Sequence, residues 1–189
     1  MSKMIVGLVG EKGSGKETFG NFLSGIAKKT KVTRVRFSDI LVETLRSWDL
    51  PLTRKNIQKM AVVMEDGFGK GTLTQAVKRR IAIINAEILI LDGIRWLTDE
   101  KMLREIDNSL IVYITADLKL RFERIRRRTE KVGEGKSFRQ FMKEEKAKNE
   151  LFIGKIGKRA DVKLENNGSL GEFKKKVEEF YGKFVVNQS

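Results

Sequence analysis

The stretch Met4–Thr18, MIVGLVGEKGSGKET, constrains this chain more than any other. A short apolar run, Met4 to Val9, breaks into a glycine-rich turn that opens into a helical pattern. The turn reads Gly10, four residues, Gly15, Lys16, the spacing of a phosphate-binding loop. Glycines permit the tight bend and let a polyphosphate come close to the backbone. The N–H groups of Lys12 to Lys16 can then point at phosphate oxygens, aided by the positive end of the helix that follows. Lys16 supplies an ammonium for the β- and γ-phosphates. The candidate nucleotide-binding residues are therefore Gly10, Glu11, Lys12, Gly13, Ser14, Gly15, Lys16, Glu17 and Thr18. The plain alternative is an ordinary strand–turn–helix with a chance lysine; the apolar run before and the helix after weigh against it.

One position departs from the full motif. Glu17 follows Lys16, and Thr18 comes only then, whereas the motif places Ser or Thr directly after the lysine to ligate magnesium. GSGKET resembles the GxGKGT form of adenylate kinases and the GKDT form of some deoxynucleotide kinases. That resemblance implies that Thr18 contacts phosphate and that magnesium is held largely through water and a carboxylate elsewhere. Direct ligation by Glu17 is the less favoured reading.

At 189 residues the chain is expected to form one domain with a single core. It contains no Cys, which excludes disulfides, thiolate metal sites and a cysteine nucleophile. It contains no His, which removes the commonest general base. No apolar run is long enough to span a bilayer or serve as a signal peptide, so the expected location is cytoplasmic, without membrane association. A formal charge of +14 suggests an anionic partner, either nucleotide phosphates or a nucleic acid backbone. Charged residues at 34%, with no Cys, fit a thermophile.

Periodicity gives the expected elements. Met4–Val9 is strand one, followed by a helix from about Gly15 to Lys29. Lys31–Phe37 is strand two, with Ser38-Asp39 capping a helix over Ile40–Trp48. Thr53 begins a helix, Gly67, Gly69 and Gly71 interrupt, and a further helix carries Leu73 to Ile84. Three helices between strands two and three exceed what one crossover needs and read as an insertion over the mouth of the sheet. Glu87–Leu91 is a buried strand ending in Asp92-Gly93-Ile94-Arg95, with a helix near Asp99–Ile106. Leu110–Thr115 is strand four and Asp117–Arg128 a basic helix. Gly133-Glu134-Gly135 is a break, Phe138 opens another helix, Asp161–Glu165 is strand five, and Leu170–Phe184 is an amphipathic helix. This alternation implies an α/β fold, a five-stranded parallel sheet with helices on both faces, whose ligand sits at the carboxyl ends of the strands. Asp92, after four apolar residues, holds the Walker B position, where a carboxylate can hold magnesium directly or through water. Thr18 and Asp92 are the candidate metal residues.

The order of GEKGSGKET, RFSDILVETL, LTRKNIQKM, ILILDGIRW, the arginine-rich helix and RADVKLENNGSL resembles the nucleoside monophosphate kinase-like group of P-loop proteins. The resemblance is closest to dephospho-coenzyme A kinase, deoxynucleoside monophosphate kinases and archaeal adenylate kinase-related proteins. It implies a core (1–37, 86–125, 160–189), an acceptor-binding insertion (about 38–85) and an arginine-bearing lid (about 126–159). It further implies ATP and Mg2+ as cofactors and a small-molecule nucleotide acceptor, in a monomer or homodimer. By residue, it implies that Asp39 orients the acceptor and that Arg54 contacts it. Arg95 can reach the phosphates, Arg124 and Arg128 are the lid arginines, and Asn167, in the turn Asn166–Gly168, packs against adenine. A solvated helix face is the plain alternative for the arginine run.

The expected reaction is in-line transfer of the ATP γ-phosphoryl, with Lys16, Asp39, Arg95, Arg124 and Arg128 as candidate catalytic residues. A phosphate acceptor needs no base; a hydroxyl acceptor needs one, and without His that base is Asp39. The competing expectation is a P-loop ATPase acting on RNA or in ribosome assembly. Nucleic acid is thus the less favoured partner, since the basic residues gather at the expected lid and no aromatic–basic RNA motif is present.

Overall fold

The computed structural model describes residues 3–186, apart from 131–136, 146–150 and the side chains of 54, 129 and 130. Within them, β1 (Met4–Val9), β2 (Val32–Arg36), β3 (Ile88–Ile94), β4 (Ser109–Thr115) and β5 (Val162–Glu165) form one sheet. The order is β2-β3-β1-β4-β5, and each neighbouring pair is parallel. The helices are α1 (Lys16–Ile26), α2 (Phe37–Ser47), α3 (Arg54–Phe68), α4 (Thr72–Ile83) and α5 (Leu97–Arg104). They continue with α6 (Leu118–Glu130), α7 (Phe138–Glu145), α8 (Ile153–Gly157) and α9 (Leu170–Phe184).

The central strand explains the layering. Met4, Val6 and Leu8 of β1 point into one core with Phe19 and Leu23 of α1 and Phe173, Val177 and Phe180 of α9. Ile5 and Val9 point into the opposite core with Val77 and Ile81 of α4, Met102 and Leu103 of α5, and Ile153 and Ile156 of α8. A parallel strand covered on both faces needs apolar residues at every position, hence the unbroken run. A third cluster joins Leu41 and Leu45 of α2 to Met60 of α3.

Strand one and the last helix fall where the periodicity puts them. Strand two ends one residue early, because Phe37 already opens α2. Asp39 stands third in that helix, and its Oδ2 accepts the Arg36 N–H at 2.8 Å, turning the chain into the helix directly. Ser38 lies within the first turn and is not the cap. The third helix runs through Gly67 to Phe68, held at its end by Glu65, which accepts N–H bonds from Gly71 (2.6 Å) and Leu73 (3.0 Å). β3 continues past Leu91 to Ile94, so Asp92 lies inside the strand. The short helix α8 has no counterpart in the sequence reading. The glycine break at 133–135 lies outside the described residues. No helix among the described residues is long and apolar enough to cross a membrane.

Candidate functional site

At the carboxyl end of β1 the chain turns at Gly10, where a Cβ would overlap the Ile114 carbonyl of β4. Gly13 (φ 79°) and Gly15 (φ 107°) are left-handed, and Gly15 is the N-cap of α1. Those two conformations wrap the backbone around the helix N-terminus, where unpaired N–H groups and the helix dipole favour an anion. Lys16 Nζ donates to the Gly10 carbonyl at 2.5 Å and the Glu11 carbonyl at 3.0 Å, so the ammonium sits over the same loop.

The loop is supported from the side by α6 and the β5–α9 turn. Asn166 is buried and its Nδ2 donates to the Ser14 carbonyl at 2.9 Å. Arg124 Nη2 donates to the Asn166 carbonyl at 2.9 Å, and Nη1 reaches the Gly13 carbonyl at 3.5 Å. Burial, and secondarily the neighbouring Arg128, lowers the pKa of Arg124. Asn167 turns the other way: its Oδ1 accepts the Asp117 N–H at 2.8 Å and its Nδ2 donates to Asp117 Oδ1 at 3.1 Å. A cavity of about 250 Å³ lies against this turn, lined by Glu165, Asn166, Gly168, Glu172, Phe173 and Lys176.

Beneath the loop, the Tyr113 hydroxyl of β4 donates to Glu11 Oε1. Burial, reinforced by this bond, pushes the Tyr113 pKa up to about 12. Glu11 Oε2 and Ser14 Oγ are buried without a hydrogen-bond partner among the described residues. Unpaired polar atoms of this kind gather at ligand sites, where a bound group satisfies them.

On the β3 side, charges of alternating sign meet. Asp92 pairs with Arg34 Nη2, and Arg36 Nε lies 4.0 Å from the same Oδ2. Arg36 also reaches Glu17 Oε1 at 3.9 Å, and Arg128 reaches Glu17 Oε2 at 3.6 Å. Glu17, standing in the place of the usual hydroxyl, thus lies between two guanidinium groups. Asp92 and Thr18 supply hard oxygens, yet no group of three or more acidic, His or Cys residues able to hold a metal occurs among the described residues. A magnesium ion here would meet at most the oxygens of these two residues, and would take the rest of its ligands from water or a bound ligand, with Asp92 released from Arg34.

The remaining candidates are placed as follows. Asp39 has one carboxylate oxygen on the Arg36 N–H, which sets it at the head of α2 beside the β2 end. Arg95 follows the end of β3, and its N–H donates to Asp99 at 3.0 Å. Arg54 opens α3; its side chain lies outside the described residues. Lys16, Arg124 and Asn166 bond the loop itself, while Arg128 touches Glu17 just after it and Asp92 connects to Glu17 through Arg36.

Residues outside the candidate catalytic and binding set complete the surround. Arg121 is buried, its Nε donating to Ala116 O at 3.0 Å and Nη1 to the Lys12 carbonyl at 3.3 Å. A signal for it existed: Arg121 falls on the inward stripe Leu118, Phe122, Ile125 at helical spacing. Arg34 and Tyr113 carried no comparable mark, since only the tertiary fold brings them here, whereas Asn166 belongs to the turn Asn166–Gly168 that the sequence resemblance already sets beside the nucleotide.

No protein-family model matches the chain. It is similar to a UPF0200 protein from Hyperthermus butylicus, 28% identical over 171 residues that span 90% of this chain and 89% of the relative. Among solved structures it is similar to shikimate kinase from Acinetobacter baumannii in complex with shikimate, with a TM-score of 0.58 and 16% identity over 98% of this chain and 95% of that one. It is also similar to a gluconokinase from Sinorhizobium meliloti, with a TM-score of 0.55 and 16% identity over 98% and 95% of the two chains. At such identities the likeness speaks for the backbone arrangement: the chain has a P-loop kinase-like fold, five parallel strands with helices on both faces.

Proposed function

We propose that this protein transfers the γ-phosphoryl group of ATP to a small-molecule acceptor of nucleotide type, a nucleoside monophosphate or a dephospho-coenzyme A-like molecule. The observation that carries the reading is the loop at the carboxyl end of the central strand, with Lys16 over its left-handed glycines and Arg124 held on its flank. Such a site positions a polyphosphate and stabilises charge spread over the transferring group. The loop residues Gly10–Thr18 hold the phosphates, and the turn at Asn166–Asn167 borders the base. Lys16, Arg124, Arg128 and Arg95 balance developing negative charge. Asp92 and Thr18 would hold magnesium, which neutralises charge on the β- and γ-oxygens when bound. The α2–α4 segment would receive the acceptor, with Asp39 and Arg54 as its contacts, and the region about 126–159, of which 131–136 and 146–150 lie outside the described residues, would cover the reacting groups.

The likeness to small-molecule kinases in fold supports this reading over an RNA-directed ATPase, which the charge of +14 alone favours. The test is a phosphoryl-transfer panel with ATP and Mg2+ over nucleoside monophosphates, dephospho-coenzyme A, structured RNA and water. Transfer to one small acceptor, falling at least roughly a hundredfold in Lys16→Ala, is the expected result. Turnover that survives Lys16→Ala, or hydrolysis that only RNA stimulates, would overturn it.

A further inference from the structure

The helix α7 places two adjacent carboxylates on the phosphate loop and its neighbour, and they differ in kind. Glu145 Oε2 accepts from Arg121 Nη1 at 2.5 Å, with side chains only 15% and 7% exposed. Arg121 also lies over the Phe141 ring, 5.7 Å from its centroid, and Phe141 packs against Phe122 and Phe138. This is a buried, multiply bonded anchor, and removing one partner would leave a charge stranded. Glu144 instead pairs with Lys12 Nζ, a lysine of the loop itself, and these side chains are 32% and 28% exposed. A half-buried pair that solvent still reaches holds less firmly than the Glu145 anchor and can exchange partners.

We propose that Glu144 is an internal anion that competes with a polyphosphate for Lys12 and so sets the nucleotide affinity of the loop. The inference rests on the phosphate-loop reading given above. Lys16 donates to the Gly10 and Glu11 carbonyls, neutral acceptors that a phosphate can replace. At Lys12 the resident acceptor is ionised, so an incoming phosphate must displace a carboxylate or sit beside it and be repelled. The Glu145 anchor keeps α7 in place whichever partner Lys12 takes. Glu144 thereby penalises ligands in proportion to the charge they bring to this corner, and is a determinant of affinity and not of folding.

The experiment is calorimetric titration of the wild type, Glu144→Gln, Glu144→Lys and Glu145→Gln with inorganic triphosphate and, separately, with ATP and adenosine. Glu144→Gln should tighten triphosphate and ATP by about two- to fivefold, and Glu144→Lys by more. Adenosine binding should be unchanged, and the gain should shrink as salt rises. Thermal midpoints should hold in Glu144→Gln and drop in Glu145→Gln. If the wild type binds triphosphate and Glu144→Gln binds it equally or more weakly, the inference falls and the phosphate-loop reading stands. If none of the four proteins binds triphosphate, the phosphate-loop reading itself falls and takes the inference with it.

Discussion

The close approach of Asn166 to the loop offers a test that needs no substrate. Gly15 adopts φ 107°, and a Cβ on it would lie closer than 3.0 Å to Asn166 Nδ2. Gly15→Ala therefore carries two costs. The left-handed backbone costs an alanine about 1–2 kcal/mol. Displacing Asn166 breaks its bond to the Ser14 carbonyl and leaves that buried acceptor unpaired, about 1–3 kcal/mol more. Asn166→Ala incurs the second cost and otherwise gives up only the long 3.4 Å bond from Arg124 Nη2 to Asn166 Oδ1, because the Arg124 bond at 2.9 Å goes to the Asn166 main-chain carbonyl, which survives. The double variant has no further bond to lose, so it should be about as unstable as Gly15→Ala alone. The two changes should thus fall short of additivity by about 1–3 kcal/mol. Urea denaturation followed by circular dichroism measures all four proteins. Strict additivity, or a Gly15→Ala cost below about 0.5 kcal/mol, would refute the described packing of Asn166 on the loop.

Other outcomes follow from the same geometry. Arg54→Ala should lower kcat/KM for the acceptor roughly 10- to 150-fold while ATP affinity stays within about threefold, whereas Arg124→Ala should act mainly on kcat; steady-state kinetics with ATP titration separates them. Tyr113 bears on alkaline stability: its folded pKa, near 12, lies above its ordinary value of 10.0. The contribution of Tyr113 is therefore whole below pH 10 and drains away as pH climbs towards 12, because the unfolded chain ionises first. Tyr113→Phe should flatten the fall of the urea midpoint across that range, and an unchanged pH profile would count against the burial of the hydroxyl and, with it, the Glu11 contact.

Much of the architecture could be read directly from residue order. The two-sided burial of β1 demands its unbroken apolar run, and Ser169 with Glu172 marks the start of α9 in a capping box. Where local pattern is ambiguous the reading slipped. Val35 and Phe37 suit a strand or a helix start equally, and only the Asp39 bond to the Arg36 N–H decides. Ile153 and Ile156 of α8 span too few residues to show a period. The loop itself was plain from glycine spacing, but its supports were not. Asn166 and Asn167 are neighbours of identical chemistry, and the backbone turn sends one to Ser14 and the other to Asp117. The arginine run likewise divides by helix phase, burying Arg121 and leaving Arg128 largely exposed.

The pairing of β1 has a consequence for how the protein is made. Its partners arrive late, since Met4 faces Ile88 and Ile5 faces Ser109. Asn166, which braces the loop, lies 152 residues from Ser14. A nascent chain that has emerged only as far as β3 therefore holds the motif residues but lacks the walls that shape them. Non-local parallel pairings close slowly, because the intervening chain must be ordered first. Competence to bind an anion should accordingly appear among the last events of folding, after β5 docks. Ligand binding by chains arrested at successive lengths would read out completion of the whole sheet.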